Sequence, residues 1–349
     1  MTGLEVLQSV QYVAVGDRRL AIVEADDWEA MIEWLETLDD VEIAKEAFAA
    51  LKAASGDRER AGWLRWDDIK EGLNSASTPS MSSPPLEMLP PLDAHAHLDP
   101  ARSADELAGS GAVLAMTLSL DEAALAVGRR EPHIAWGVGC HPRKLRAQES
   151  FDAGRFRELA ERAALVGEIG LDAGARVPLE VQLRTFRQAL EIVADLPRLV
   201  SIHSYRATGL VIEELGRRPV AVPVLHWWTG SAQETREAVA LGCYFSIHSA
   251  VARHSKFRTA VPPERVLVES DHGYADPPAA IPCRIEWVEY LVAQQLGLDV
   301  RDVRRLAWRN LATIVRQTGT LGLLPEPLAA LLAEVSPDVD HRMPCVQAE

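Results

Sequence analysis

Residues 165–204 read LVGEIGLDAGARVPLEVQLRTFRQALEIVADLPRLVSIHS, and this stretch decides how the chain folds. Two short apolar runs, LVGEIGLD and RLVSIHS, flank the amphipathic segment PLEVQLRTFRQALEIVADL, whose apolar residues recur at helical spacing. An apolar run, a helix and a second apolar run make a β-α-β unit with parallel strands. The same alternation extends in both directions. Upstream lie PLDAHAHLD (91–99), AVLAMTLS (112–119) and IAWGVGCHP (134–142). Downstream lie VPVLHWW (222–228), CYFSIHS (243–249) and RVLVESDHG (265–273). Eight candidate strands over 92–273, most separated by amphipathic segments, predict an α/β fold, a (β/α)8 TIM-type barrel. VEYLVAQQLG and VRRLAWRNLATIVRQTG supply the closing helices.

The barrel is preceded by something different. Residues 1–90 carry 18 acidic and 8 basic residues and four of the nine Trp. YVAV and RLAIVEA, joined at Gly16-Asp17, predict a strand hairpin. Asp26 or Asp27 caps a helix with Met31, Ile32, Leu35 and Leu38 on one face, and Asp39-Asp40 opens a second with Ile43, Ala47, Phe48 and Leu51 inward. Ten of the 18 residues in NSASTPSMSSPPLEMLPP (74–91) are Ser or Pro, an extended linker. The expected organisation is a small acidic α+β domain at 1–73, a linker at 74–91, the barrel at 92–319 and a partly disordered tail at 320–349.

Composition narrows the function. At 349 residues, 48% hydrophobic and 25% charged, this is an ordinary globular chain. It has no apolar run long enough for a transmembrane helix. MTGLEVLQSVQYVAVGDRR lacks the pattern of a secretory signal. Cys140, Cys243, Cys283 and Cys345 form no CxxC pair, so a disulfide framework or zinc knot is not expected, and a cytoplasmic location is. Net charge −15 argues against a protein that coats nucleic acid through bulk positive charge. Phosphates met through bound metal ions remain compatible with it. No GxSxG, GxGxxG or GxxxxGK[ST] occurs.

The polar residues inside the strand runs carry the chemistry. His95 and His97 end the first strand, Glu168 lies in the fourth, His203 ends the fifth, His226 the sixth and Asp271 the eighth. In a barrel the strand C-termini converge on one mouth. His95 and His97 are two apart, so their side chains share a face and can grip one ion. A carboxylate such as Glu168 can bridge to a second. Two divalent ions about 4 Å apart clamp a phosphoryl oxygen and acidify a water. Each residue alone has a structural reading: a buried core histidine, an Arg-paired carboxylate, a helix cap. Their order along the strands favours metal binding. His248 is open between the bowl and a structural role; His272 flanks Asp271; His133, His254 and His341 read as surface; Cys140 and Cys243 read as small buried residues.

DAHAHLD (93–99), GCHP (139–142), GEIGLD (167–172), QLRTFRQAL (182–190), IHSYRA (202–207), HWWTG (226–230) and ESD (269–271) resemble, in order and spacing, the TatD family of metal-dependent deoxyribonucleases. The resemblance covers residues 91–319. It implies a barrel of the metal-dependent hydrolase class that binds two ions, Mg²⁺ or else Mn²⁺ or Zn²⁺, and hydrolyses DNA phosphodiesters, commonly from an end. It implies His95, His97, Glu168, His203, His226 and Asp271 as metal ligands, with Glu168 and Asp271 also catalytic. His141 would face the substrate phosphate.

Two positions depart from the family: Tyr205 then Arg206 stand where an Arg is usual two residues after His203, and Gly273 stands where Pro is usual. Both line the mouth and bear on substrate preference, and Tyr205 and Arg206 are taken as substrate-binding. With HWWTG they resemble the TatD-type nuclease of Qat anti-phage systems. Residues 11–73 resemble Phd/YefM-type antitoxins, which implies a protein partner for the N-terminal domain. One alternative function is an amidohydrolase-type enzyme cutting an ester or amide such as D-aminoacyl-tRNA; many of those carry a carboxylated strand-four Lys where this chain has Glu168. The other is a regulatory binding protein acting through residues 1–73.

Overall fold

The computed structural model describes residues 89–107, 111–254, 256–273 and 285–335, residue 52, and two N-terminal strands. The chain divides into two units, Met1–Ser83 and Pro84–Glu349. In the first, β1 (Gln11–Val15) pairs antiparallel with β2 (Arg18–Ile22), with Val15 opposite Arg18. This is the hairpin expected around Gly16-Asp17. The two helices expected over 26–51, the rest of the antitoxin-like segment and most of the linker lie outside the described residues, as do His341, Cys283 and Cys345.

In the second unit β3 (Leu92–Ala96), β4 (Ala112–Ala115), β5 (Ile134–Val138), β6 (Leu165–Gly170), β7 (Leu199–His203), β8 (Val222–Leu225), β9 (Tyr244–Ile247) and β10 (Val266–Val268) form one sheet in sequential order. Every neighbouring pair is parallel. Each strand falls inside one of the eight apolar runs. They lack a clean polar–apolar alternation because both faces are covered, by the barrel interior and by the helix layer. Beyond the strand ends, Asp271 N donates to His95 O at 3.0 Å and His97 N to His272 O at 2.6 Å. These two bonds tie the last strand's extension to the first strand at the mouth, and the sheet curls into a nearly closed (β/α)8 barrel.

The helices present one apolar face inward. In Leu179–Ala194, Gln182, Phe186, Ala189, Leu190 and Val193 are buried. Gln182 is polar for a reason: its amide donates to Asp172 O at 2.9 Å and Val177 O at 2.8 Å and accepts from Asp172 N at 2.7 Å. That holds the loop leaving β6. The closing helices are Glu286–Leu296 and Val300–Thr318, ended by left-handed Gly297 and Gly319. Trp308 Nε1 donates to Pro90 O at 2.9 Å, anchoring the chain where it enters the barrel.

Part of the segment expected as a tail is helical. Residues Glu326–Glu334 form a helix with Leu328 and Leu332 buried. PEPLAALLAEV is acidic and Pro-led, but its leucines recur at i, i+4 and meet Leu311, Val315 and the feet of β4, β6 and β7 around a small apolar cavity. Burial of that face outweighs the acidic composition. Residues beyond 335 are outside the described set. No helix among the described residues is long and apolar enough to cross a membrane.

Candidate metal centre

The six residues expected to bind metal meet at the C-terminal mouth of the barrel. Glu168, fully buried on β6, stands at the centre and points one oxygen into each of two clusters. Glu168 Oε2 lies 3.0 Å from His97 Nε2 and 3.5 Å from His95 Nε2. Asp271 Oδ1 is 3.5 Å from each of the same two nitrogens, which are 3.3 Å apart. On the other side Glu168 Oε1 lies 2.6 Å from His203 Nδ1 and 2.8 Å from His226 Nε2, which are themselves 3.1 Å apart.

Residues behind the rings set which nitrogen faces inward. Met116 O can only accept, so His97 Nδ1, 3.1 Å away, carries the proton and Nε2 presents a lone pair. Asp172 Oδ2 takes the Nε2–H of His203 at 3.0 Å, leaving Nδ1 bare toward Glu168. Glu269 Oε1 faces His226 Nδ1 at 3.4 Å and leaves Nε2 bare. His95 Nδ1 meets Ser201 Oγ at 2.8 Å, and its ring stacks on His226 with centroids 3.9 Å apart. Carboxylates and carbonyls behind imidazoles in this way orient metal-ligating histidines.

The donor set fits divalent cations. Asp271 Oδ1 is buried without a hydrogen-bond partner, and the two Glu168 oxygens and the inward imidazole nitrogens converge on the same space. Nothing but positive charge satisfies such an arrangement. Without a cation, imidazole protons offset the buried carboxylates, and a bound cation would take their place. Burial drives the His95 imidazole down to about 3, with His226 adding to the effect. Burial alone would raise the Glu168 carboxyl, but the imidazoles of His141, His226 and His203 hold it well below the usual carboxylate range. Burial pushes Asp271 up to about 7, against the pull of His97 and His226. Burial lowers His226, yet Glu168 and Glu269 lift it well above its ordinary value.

His141 lies 3.2 Å from Glu168 Oε2 through Nε2, close enough to count as a ligand by distance. Its tautomer argues otherwise. The main-chain N–H of Arg143 donates to His141 Nδ1 at 3.1 Å, so the neutral ring carries its proton on Nε2. Burial, the largest influence, lowers its pKa to about 4 and keeps the ring neutral. It is a hydrogen-bond donor into the bowl. Tyr205 and Arg206 are exposed at the rim, the guanidinium 5.3 Å from the phenol ring.

Three buried carboxylates were not singled out from the sequence. Glu269 accepts from Trp227 N at 2.7 Å and from Ser246 Oγ. Asp93 accepts from Ser270 N at 3.0 Å and His95 N at 3.3 Å, and burial pushes it up to about 7. Asp172 holds His203. Each is a charge inside or beside an apolar run two residues from a proposed ligand or from the strand end. An acid so placed needs a partner, and that was the available signal. Of the open histidines, His248 stacks on Trp227, His272 is buried beside Asp271, and His133 and His254 are exposed. Burial pushes the Cys140 and Cys243 thiols up to about 12, so neither is a nucleophile at neutral pH.

Gly170 locks two halves of the centre together. Its φ is +141°, and a Cβ there would meet His203 O at 2.1 Å. Gly170→Ala is expected to cost at least about 3 kcal/mol, from the positive φ and the displaced backbone. Denaturant unfolding measures the cost, and a metal titration should show weaker binding because Glu168 and His203 flank the clash.

Comparison with known proteins gives the family. The family described as "TatD related DNase" matches residues 92–316. The "3'-5' ssDNA/RNA exonuclease TatD" of Cronobacter sakazakii (strain ATCC BAA-894) is 33% identical over 175 residues, 46% of this chain and 65% of that protein. The chain thus spans just under two thirds of that relative's length. The "Uncharacterized metal-dependent hydrolase YabD" of Bacillus subtilis (strain 168) is 25% identical over 193 residues, 52% of this chain and 73% of that one. The crystal structure of YJJV, a TatD homologue from Escherichia coli K12, superposes with a TM-score of 0.55 at 23% identity, covering 64% of this chain and 96% of that one, a likeness of fold. From residue 92 to residue 316 the chain belongs to the TatD-related DNase family.

Proposed function

We propose that this chain is a two-metal phosphodiesterase that hydrolyses DNA, with Mg²⁺ as its working ion. The observation that carries the reading is the division of Glu168, one oxygen toward His95, His97 and Asp271, the other toward His203 and His226. Two divalent cations held there supply Lewis acidity toward a phosphodiester and toward water. The chain's own residues do the rest. Asp271 orients the attacking water and takes its proton as the new P–O bond forms and the scissile P–O bond breaks, the leaving sugar oxygen taking a proton from solvent. His141 donates its Nε2–H to a phosphate oxygen, and Arg206 and Tyr205 hold the neighbouring phosphate at the rim. Asp172 and Glu269 keep His203 and His226 turned inward.

A nucleic-acid substrate is favoured by the nuclease names of the family and its relatives, and DNA by the description of the family as "TatD related DNase". An ester or amide reading is disfavoured by Glu168 at the strand-four position. The departures at Tyr205-Arg206 and Gly273, together with HWWTG, support an anti-phage role, which gene neighbourhood tests. The net acidity of residues 1–73 would repel a phosphate backbone, so that segment suits a protein partner.

The test is incubation of the purified full chain with end-labelled single- and double-stranded DNA and RNA in Mg²⁺, Mn²⁺ or EDTA. Shortening of DNA with either ion and none in EDTA is expected. Intact DNA under every metal would overturn the proposal, and deacylation of D-aminoacyl-tRNA under those conditions would select the alternative.

A further inference from the structure

Among the described residues, three non-glycine residues have positive φ: Arg206 (52°), Trp227 (37°) and Asp271 (50°). Each lies two or three residues past the C-terminal end of a barrel strand, so all three ring the mouth. A bulky residue in this region is strained, and strain of this kind persists where surrounding contacts over-determine the backbone. Asp271 lies in the metal centre. Trp227 belongs to neither cluster of the metal centre.

Its neighbour sharpens the question. Trp228 is fully buried and its Nε1 donates to Thr235 Oγ1 at 2.8 Å, so the core accounts for it. Trp227 stays partly exposed. Its backbone N–H donates to Glu269 Oε1 at 2.7 Å, the same oxygen that faces His226 Nδ1. The strained residue is thereby fastened to the carboxylate that orients a proposed metal ligand. The Trp227 indole stacks on the His248 imidazole, with centroids 3.8 Å apart and planes 27° from parallel. His248 Nδ1 accepts from Ala250 N at 3.2 Å, which orients the second ring.

We propose that the Trp227–His248 stack is a platform for the unpaired nucleobase of a single-stranded nucleic-acid end whose phosphate occupies the metal centre. The inference rests on the nuclease reading above and adds to it the feature that selects the substrate. Bases splayed out of a helix stack on Trp and His rings; paired bases have their faces covered by neighbours. Stacking is sequence-tolerant and needs no positive charge. A chain of net charge −15 gains little from bulk attraction to a polyanion, so a neutral aromatic contact beside the ions suits it.

The experiment uses the full chain loaded with Mn²⁺ and two labelled single-stranded DNA oligonucleotides. One is unmodified; the other is abasic at the last two nucleotides of each end. The wild type should show KM about five- to 150-fold higher for the abasic substrate with kcat little changed, the range that stacking of one base supplies. In Trp227→Leu that difference should vanish, and Trp227→Phe should restore most of it. The wild-type comparison stands even if a variant folds poorly. Equal KM for both substrates in the wild type would overturn the platform and leave the nuclease reading intact. A preference that survives in Trp227→Leu would overturn it too. Cleavage of neither substrate would overturn the nuclease reading, and the platform would fall with it.

Discussion

Asp271→Asn is expected to slow metal-dependent hydrolysis by about 10²–10⁴-fold without unfolding the barrel, the range for loss of a general base or of a group that orients the attacking water. The substitution is chosen for its backbone. Asp271 has φ +50°, a region that Asn occupies more readily than most residues. Its main-chain N–H to His95 O is independent of the side chain. What changes is the carboxylate. Oδ1 is buried without a donor and faces His95 and His97 Nε2 at 3.5 Å each. An amide there has no negative charge and accepts no proton. Single-turnover rates measure the loss, and circular dichroism with a thermal melt checks the fold. A wild-type rate with unchanged Mg²⁺ dependence would remove Asp271 from the mechanism.

Glu168→Gln is expected to act through the ions. Each Glu168 oxygen faces lone-pair nitrogens, at 3.0 Å from His97 and 2.6 Å from His203. An amide nitrogen in place of either oxygen aims hydrogens into a cation site, and the one carboxylate shared by both clusters is lost. Metal content should fall from two ions per chain to one or fewer, read by elemental analysis after dialysis. The rate should fall by about 10³-fold, because several kcal/mol of transition-state charge stabilisation leaves with the ion and each 1.4 kcal/mol is a factor of ten. Two ions and an unimpaired rate in the variant would show that Glu168 does not bridge. The two variants separate the roles: Asp271→Asn mainly removes chemistry at retained metal, and Glu168→Gln removes metal first.

Much of this was legible in the chain. The eight apolar runs became β3 to β10 because strands buried on both faces must be apolar nearly throughout, which leaves a local mark. The two-residue spacing of His95 and His97 put both rings on one face because strand parity is also local. The convergence of Glu168, His203, His226 and Asp271 followed once parallel order was inferred, since strand C-termini in such a barrel share one mouth.

Other features depended on partners distant in sequence. The nitrogen that His97 turns inward is chosen by Met116 O, and the one His203 turns inward by Asp172, 31 residues away. Nothing in HWWTG distinguishes the buried Trp228 from the strained, partly open Trp227; β9 brings His248 beside one of them. Which part of the 320–349 segment packs is set by the barrel floor, which offers Leu328 and Leu332 a surface. Periodicity and residue order are written along the chain, so strand positions and the membership of the centre can be read there. Tautomer, charge balance and the covering of an apolar face are properties of neighbours, and the neighbours are assigned only when the barrel closes.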